Sequence, residues 1–284
     1  RELINANCKI ENTCVVFDFD EFKDLCLLCY KCQSADRILY LMGDFEFTDF
    51  FEDFEKFIDK VNFDEWVYNS KKFKIECTRL GTHSFKSIDV EAKAAELLLK
   101  KLKIKNNKID KKDYEIIYFA YIIDNKCYFG IDFAGFELNK RDYKIFLHPN
   151  SLRGTIAYAL FRESGFEKKD VVLDPFSRDG VIVIEAAFYA SNFPHNYYKK
   201  DKFAFLKLNL GIDFEEFFKD VDKNIKKTKA NINCFDHMFK YVDYSKMEHW
   251  VFPNLKLSTQ PITIRLPKGL INDFKIKANK MDVP

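Results

Sequence analysis

The sequence predicts an α/β chain whose first half mixes helices and strands and whose second half opens a parallel βαβ unit. Three stretches carry this reading. SKKFKIECTRLG (70–81) alternates Phe73, Ile75 and Cys77 against Lys74, Glu76 and Thr78, the period of a half-buried strand. YEIIYFAYIIDNKCYFGIDFAG (114–135) holds two β-rich runs about Asp124-Asn125, which reads as a hairpin. LDPFSRDGVIVIEAA (173–187) carries apolar Val171-Val172-Leu173 through a short turn ending at Gly180 into a helical run over 181–191. Strand, tight turn and helix form the first half of a βαβ unit.

The remaining elements follow in order. DEFKDLCLLCYKCQSADRILYLM (20–42) is amphipathic and predicts a helix, with Leu25, Leu28, Cys29, Cys32, Ile38 and Leu39 along one face. Its Cys26, Cys29 and Cys32 repeat at the spacing of part of an iron–sulfur pattern, but no fourth ligand stands at a sensible distance. Buried, reduced thiols are the expected state, because free Cys packs as a small hydrophobe. SIDVEAKAAELLLKKL (87–102) opens on Ser87 followed by acidic residues, a helix start. KKLKIKNNKIDKK (100–112) holds seven Lys against one Asp and reads either as a solvated loop or as a phosphate-facing edge. HPNSLRGTIAYALFRESG (148–165) predicts a helix with Leu152, Ile156, Ala159 and Leu160 on one face and Gly165 as its stop. NINCFDHMFKYVDYSKMEHW (231–250) predicts a second strand ending near Asp236, then another helix. The change in pattern puts a domain boundary between about 140 and 165, giving regions 1–150, 151–255 and a tail 256–284.

Bulk numbers bound the class. The 284 residues suffice for two domains, and 47% hydrophobic content supports a folded core. Lys plus Arg number 46 against 44 Asp plus Glu, a balance that neither demands nor excludes nucleic acid. No apolar stretch reaches membrane-spanning length and no signal peptide is visible, so a soluble cytoplasmic protein is expected, with no membrane partner. The chain starts at Arg1 without Met and stops at Pro284 in mid-pattern, so both ends read as cut.

The turn at 174–180 has the parts of a ligand site. The strand delivers Asp174 to the carboxyl edge of a parallel sheet, outside which α/β proteins bind ligands. A helix starting near Val181 points unpaired N–H groups and its positive dipole end back at the turn. Pro175 stiffens the exit, and Gly180 lets backbone approach a ligand closely. Spacing alone fits equally a structural βα turn in which Asp174 caps the helix.

The stretch resembles the DPFxGxGTxxIEAA segment of class I S-adenosylmethionine-dependent RNA methyltransferases. Asp174, Pro175, Phe176, Gly180, Ile184, Glu185, Ala186 and Ala187 match it, while Arg178 and Asp179 depart from it. The resemblance implies S-adenosyl-L-methionine as cofactor and a partial Rossmann-like domain over 151–255. Asp174 would sit near the cofactor's methionine end, and Phe176, Ser177 and Gly180 would line it. Asp236, 62 positions after Asp174, is similar to the acidic residue that holds the ribose hydroxyls; as an alternative it caps a helix. Upstream, 34–42, 73–91 and 130–160 resemble a THUMP domain, an α+β RNA-binding module of tRNA-modifying enzymes. The pair implies tRNA or another structured RNA as partner and N2-methylguanosine as product. Arg79, His83, Lys86, Lys140 and Arg141 are the expected phosphate contacts, with Lys144 beside them; each also suits an ordinary solvated charge.

One motif of the family is missing from these residues. An Asp or Asn followed by Pro-Pro and an aromatic holds the guanine amine, and no two prolines of this chain are adjacent. The 48 residues after Asp236 leave no room for the fold's later strands. Instead QPITIRLPKGLINDFKIKANKMDVP (260–284) alternates Ile262, Ile264 and Leu266 against Thr263 and Arg265, and resembles the opening of a CopG-type ribbon–helix–helix protein. Three functions therefore stand: an incomplete tRNA methyltransferase, a non-catalytic THUMP RNA-binding protein, and a DNA-binding antitoxin-like fusion through the tail. DNA is a partner only in the third.

Overall fold

The structure is a computed structural model that describes residues 3–4, 6–11, 13–63, 72–103, 109–110, 112–144, 151–168, 170–175, 177, 179–226 and 231–234. These belong to one compact unit, Arg1–Tyr241.

An antiparallel ribbon of β1 (Cys8–Ile10) and β2 (Val15–Phe17) precedes helix α1 (Phe22–Lys31). Then come β3 (Leu39–Glu46), α2 (Phe50–Lys60), β4 (Phe73–Leu80), α3 (Ser87–Leu102), β5 (Ile116–Ile123) and β6 (Lys126–Asp132). The four longer strands form a sheet in the order β3-β6-β5-β4. β4 and β5 are parallel, and the other two pairings are antiparallel. Local chemistry explains the helices. Asp49 caps α2 by accepting from the N–H groups of Phe51 and Glu52, and Phe50, Phe54 and Ile58 then share its buried face. The Lys86 N–H donates to Asp89 at 2.8 Å, fixing the start of α3.

The helix expected over 20–42 stops at Lys31. Cys32 turns extended (φ −70°, ψ 105°), and the next residues are drawn into the sheet. Arg37 pairs with Asp132 and, at 2.8 Å, with Glu76, while Phe133 N–H donates to Ile38 O at 3.0 Å. Sheet partners outweigh helical periodicity here.

The second half holds α4 (Gly154–Glu163), β7 (Val171–Asp174), α5 (Val181–Ser191), 3-10 turns at Tyr197–Lys199 and Ala204–Lys207, α6 (Phe214–Asp222) and β8 (Asn231–Cys234). β7 and β8 pair in parallel, with Asp174 opposite Cys234. The residues between α5 and β8 fold back on the N-terminal half. Phe203, Phe205, Leu208, Phe217 and Phe218 share one buried cluster with Leu25, Tyr30, Phe129 and Phe133. Tyr30 meets Phe218 at 5.0 Å between ring centroids, and its hydroxyl donates to Asp222 at 2.7 Å. The long excursion before β8 thus completes the first module's core.

Helix α4 differs from its expected orientation. Leu152, Ile156 and Leu160 are exposed, whereas Gly154, Thr155, Ala157 and Phe161 are buried. Close approach to α5 selects the small residues, because ridges meet grooves only where side chains are short. Gly165 follows α4 with φ +77°, the left-handed stop expected for it.

Candidate nucleotide site and its supports

β7 ends at half-buried Asp174, and the chain turns through exposed Pro175 into α5. Gly180 is the N-cap, with φ +73° and ψ 10°, and makes no side-chain cap. Its N–H donates to Ser177 O at 2.8 Å, which closes the turn. Ser177 is 5% exposed, and its Oγ has no hydrogen-bond partner among the described residues. A buried hydroxyl left unpaired is costly, which makes Ser177 Oγ a candidate contact for a polar ligand. Asp179, one of the departures from the motif, points back toward the preceding segment. It accepts from Ser151 Oγ and lies 3.9 Å from Lys144 Nζ. Phe176, Arg178 and Asp236 lie outside the described residues, as do residues 104–108 and 111 of the Lys-rich loop and the whole tail 256–284.

A buried polar cluster supports the helix that follows. Glu185 is fully buried. Its carboxylate accepts from Arg141 Nε at 2.7 Å, Gln33 Nε2 at 2.7 Å and Tyr143 Oη at 2.6 Å. Burial, then the charge of Glu185, pushes the Tyr143 phenol well above its usual range. A Cβ at Gly154 would stand 2.7 Å from both Arg141 Nε and Glu185 Oε1, so only glycine fits against this pair. The motif letter pointed to Glu185 but not to its partners. A lone Glu inside the aliphatic run VIVIEAA was the available signal, since a buried charge needs donors.

The expected phosphate contacts divide. Arg141 is corrected: it is buried, pairs with Glu185 and donates to Gln33 O at 2.6 Å, so its guanidinium is unavailable to phosphate. His83 is half-buried. One ring nitrogen meets Asp124 O at 2.6 Å and the other is enclosed, so it braces the hairpin. Arg79 is half-buried beside Phe85 (5.5 Å to the ring centroid), with Nε 3.3 Å from Ser87 Oγ. Lys86 is exposed, and Lys140 is exposed beside Glu137 at 2.5 Å. Lys144 donates to Leu152 O at 2.6 Å.

Cys26 and Cys29 are fully buried in α1, and Cys32 is half-buried with Sγ 3.4 Å from Ser34 Oγ. Burial pushes the Cys26 thiol up to about 12 and raises Cys29 well above its ordinary value. Among the described residues no group of His, Cys, Asp or Glu is placed to hold a metal ion. No described helix is long and apolar enough to cross a membrane.

A left-handed glycine opening a helix at the carboxyl edge of a parallel strand pair defines the first part of a nucleotide-type α/β domain. Comparison with known proteins agrees. The RMKL-like methyltransferase domain model matches residues 141–250, and the THUMP domain model matches 49–132. The two matches stand in the order THUMP then methyltransferase domain, so the chain is similar to THUMP-bearing methyltransferases. It is 28% identical over 284 residues to a tRNA (guanine(6)-N2)-methyltransferase of Methanocaldococcus jannaschii, covering 96% of this chain and 71% of that one. A tRNA (guanine(6)-N2)-methyltransferase of Archaeoglobus fulgidus is 24% identical over 208 residues, covering 69% of this chain. The chain spans about half of that relative's length, 51%. A solved Clostridium difficile 630 protein described as a possible methylase superposes with TM-score 0.70 at 22% identity, over 81% of this chain and 62% of that one. SMU.472, solved in complex with SAH, superposes with TM-score 0.65 at 19% identity, over 81% and 62% of the two chains. These structural likenesses establish the fold. A third model, the CopG antitoxin of type II toxin-antitoxin systems, matches 225–284 and overlaps the methyltransferase match. Within the overlap β8 pairs with β7, so the methyltransferase pattern persists through Cys234.

Proposed function

We propose that this chain is the RNA-capturing and cofactor-binding part of an S-adenosylmethionine-dependent tRNA guanine-N2 methyltransferase. The buried, unpartnered Ser177 Oγ beside left-handed Gly180 carries the proposal. The residues present suit the cofactor. Ser177 offers an unused hydroxyl, the start of α5 offers N–H groups, and Asp174 offers a carboxylate at the strand edge. Asp236 is proposed for the ribose hydroxyls, two residues beyond the strand that lies beside Asp174. When bound, the cofactor supplies an electrophilic methyl on sulfur. The N-terminal module presents Arg79, Lys86 and Lys140 toward RNA phosphate, which gives sequence-independent affinity. The names of the Methanocaldococcus and Archaeoglobus relatives support the substrate class.

No Asp/Asn-Pro-Pro-aromatic motif stands in this sequence, so the proposal predicts binding without turnover by this chain alone. Isothermal calorimetry with S-adenosylmethionine checks the first half, and tritium transfer to unmodified tRNA checks the second. Absence of any binding heat defeats the cofactor assignment. The antitoxin match favours a second reading for the tail, in which residues 261–266 mediate dimerisation and the dimer carries DNA affinity. A monomer that shifts no DNA in gel retardation rules that reading out.

A further inference from the structure

We infer that Glu185 is a positioning residue: through Arg141 and Gln33 it fixes the rotation and advance of α5, and so aims the turn at Ser177–Gly180. The inference rests on the reading of that turn as the cofactor site. Glu185 lies little more than one turn past Gly180, about 7 Å along the helix axis. Apart from Ser191 at the far end, whose Oγ donates within the helix to Ala187 O at 2.6 Å, the rest of the buried face is apolar (Val181, Val183, Ala186, Phe188 and Ala190). Apolar burial is non-directional and leaves a helix free to slide and roll in its seat. Hydrogen bonds are directional, and here they converge from several sides.

Arg141 reaches the carboxylate with Nε at 2.7 Å and Nη2 at 3.3 Å, one group on each oxygen. Gln33, just beyond α1, donates from one nitrogen to Glu185 Oε2 at 2.7 Å and to the Glu185 main-chain oxygen at 2.9 Å. That pair of bonds grips side chain and backbone of the same residue, so it fixes the helix about its axis as well as along it. Arg141 is held in turn by Leu138 O and Gln33 O. The end of α1, the segment 138–143 and α5 therefore meet at one carboxylate. The α4 backbone at Gly154 closes over the pair without space for a Cβ.

A purely structural role makes a different prediction. Buried ion pairs are poor evidence for stability, and well-packed apolar replacements of both partners are often as stable. The decisive variant is therefore the double R141M/E185L, alongside Q33A, which removes one donor and leaves the ion pair. Three quantities are read on the full chain: melting temperature, amide hydrogen exchange residue by residue, and calorimetric affinity for S-adenosylmethionine. The amide of Ile184 closes the first turn on Gly180 O at 3.0 Å, so Ile184–Ala187 report on that turn. Positioning predicts a double variant that melts within a few degrees of the parent. Its exchange at Ile184–Ala187 accelerates at least tenfold while β5 and β6 are unchanged, and its cofactor affinity falls at least tenfold. Q33A is expected to show the same local acceleration, several-fold. Parental exchange at Ile184–Ala187 in a folded double variant overturns the inference. So does acceleration spread evenly over β5, β6 and α5. If the double variant does not fold, Q33A decides alone, and unchanged local exchange in it defeats the inference. A parent chain that binds no cofactor, together with local acceleration in the variants, removes the cofactor reading and leaves the positioning role standing.

Discussion

The two sheets of this molecule are built to different standards of cover. In the four-stranded sheet, β5 and β6 are buried on both faces along most of their length. In the parallel pair, β7 alternates exposed and half-buried residues, with Val171 70% exposed and Leu173 39% exposed. Parallel strands are ordinarily covered on both faces. Among the described residues, buried apolar packing is concentrated at the four-stranded sheet. The N-terminal module closes its own core and recruits Phe203, Phe205 and Phe218 from the excursion before β8 to finish it. The nucleotide-type half leans on that module through α5 and the cluster at Glu185.

The largest expected effect sharpens this contrast. Phe129 is fully buried, 5.5 Å from Phe54 and 6.1 Å from Tyr118 between ring centroids. Phe129→Ala should cost about 3–5 kcal/mol, since it opens a cavity in a core that cannot collapse. Leu173→Ala should cost under about 1 kcal/mol, because much of that side chain already meets water. Urea unfolding of both variants measures the gap, and equal losses would erase the distinction between the sheets.

Next comes Gly180. A Cβ there meets Ile184 Cδ1 at 3.6 Å, Val183 Cγ2 at 3.8 Å and Ser177 Oγ at 3.9 Å, all ordinary contacts, so sterics are not the obstacle. The cost lies in φ +73°, and Gly180→Ala should destabilise by about 1–2 kcal/mol. The same substitution is expected to weaken cofactor binding in calorimetry more than Leu173→Ala does. The reverse order would place the ligand away from the turn.

What could be read from the sequence follows the same division. β4, α3, the hairpin at Asp124-Asn125 and α5 were legible because period, cap and turn chemistry agree there. The end of α1 was not, because the amphipathic pattern runs on past Lys31 while Arg37 and Ile38 answer to β4 and β6. Helix α4 was read with its face reversed, since large apolar residues suggested the core, whereas contact with α5 needed Gly154 and Ala157. Arg141 sits in a polar stretch and read as surface. Only the position of Glu185, 44 residues on, makes it a buried partner. At the candidate site, Asp174 and Gly180 were singled out from the strand–turn–helix pattern and the motif, and Ser177 from the lining that the resemblance implies. Gln33, Tyr143 and Gly154 act through tertiary proximity and left no local trace.

A smaller effect concerns the thiols. Burial raises Cys26 to about 12 against an ordinary 9.0, and raises Cys29 well above that ordinary value. The folded chain therefore keeps these protons when the unfolded chain releases them. Their contribution to stability is whole below about pH 9 and declines as pH rises toward 12. Cys26→Ala should flatten the fall of the urea midpoint between pH 9 and 10.5. At pH 8, iodoacetamide should label half-buried Cys234 in the second half before Cys26, Cys29 or Cys127 in the first. Early labelling of Cys26 would mean that the first module opens as readily as the second.

The smallest effect on the fold is expected at the surface proposed to meet RNA. Lys86 is exposed and its side chain makes no cap, so Lys86→Ala should leave stability within about 0.5 kcal/mol of the parent. Its consequence belongs to binding. A lysine that neutralises a phosphate releases a counterion, so its loss should lower the slope of log affinity against log salt by about one. Arg79 carries the same expectation, reduced by its hydrogen bond to Ser87 and its position over Phe85. Arg141→Lys provides the contrast, because a buried guanidinium releases no counterion. It should disturb folding and α5 while leaving the salt slope for tRNA unchanged. Filter binding at several salt concentrations separates the three. A slope that falls for Arg141→Lys and not for Lys86→Ala would reverse the assignment of surface and interior, and with it the division of labour between the two halves.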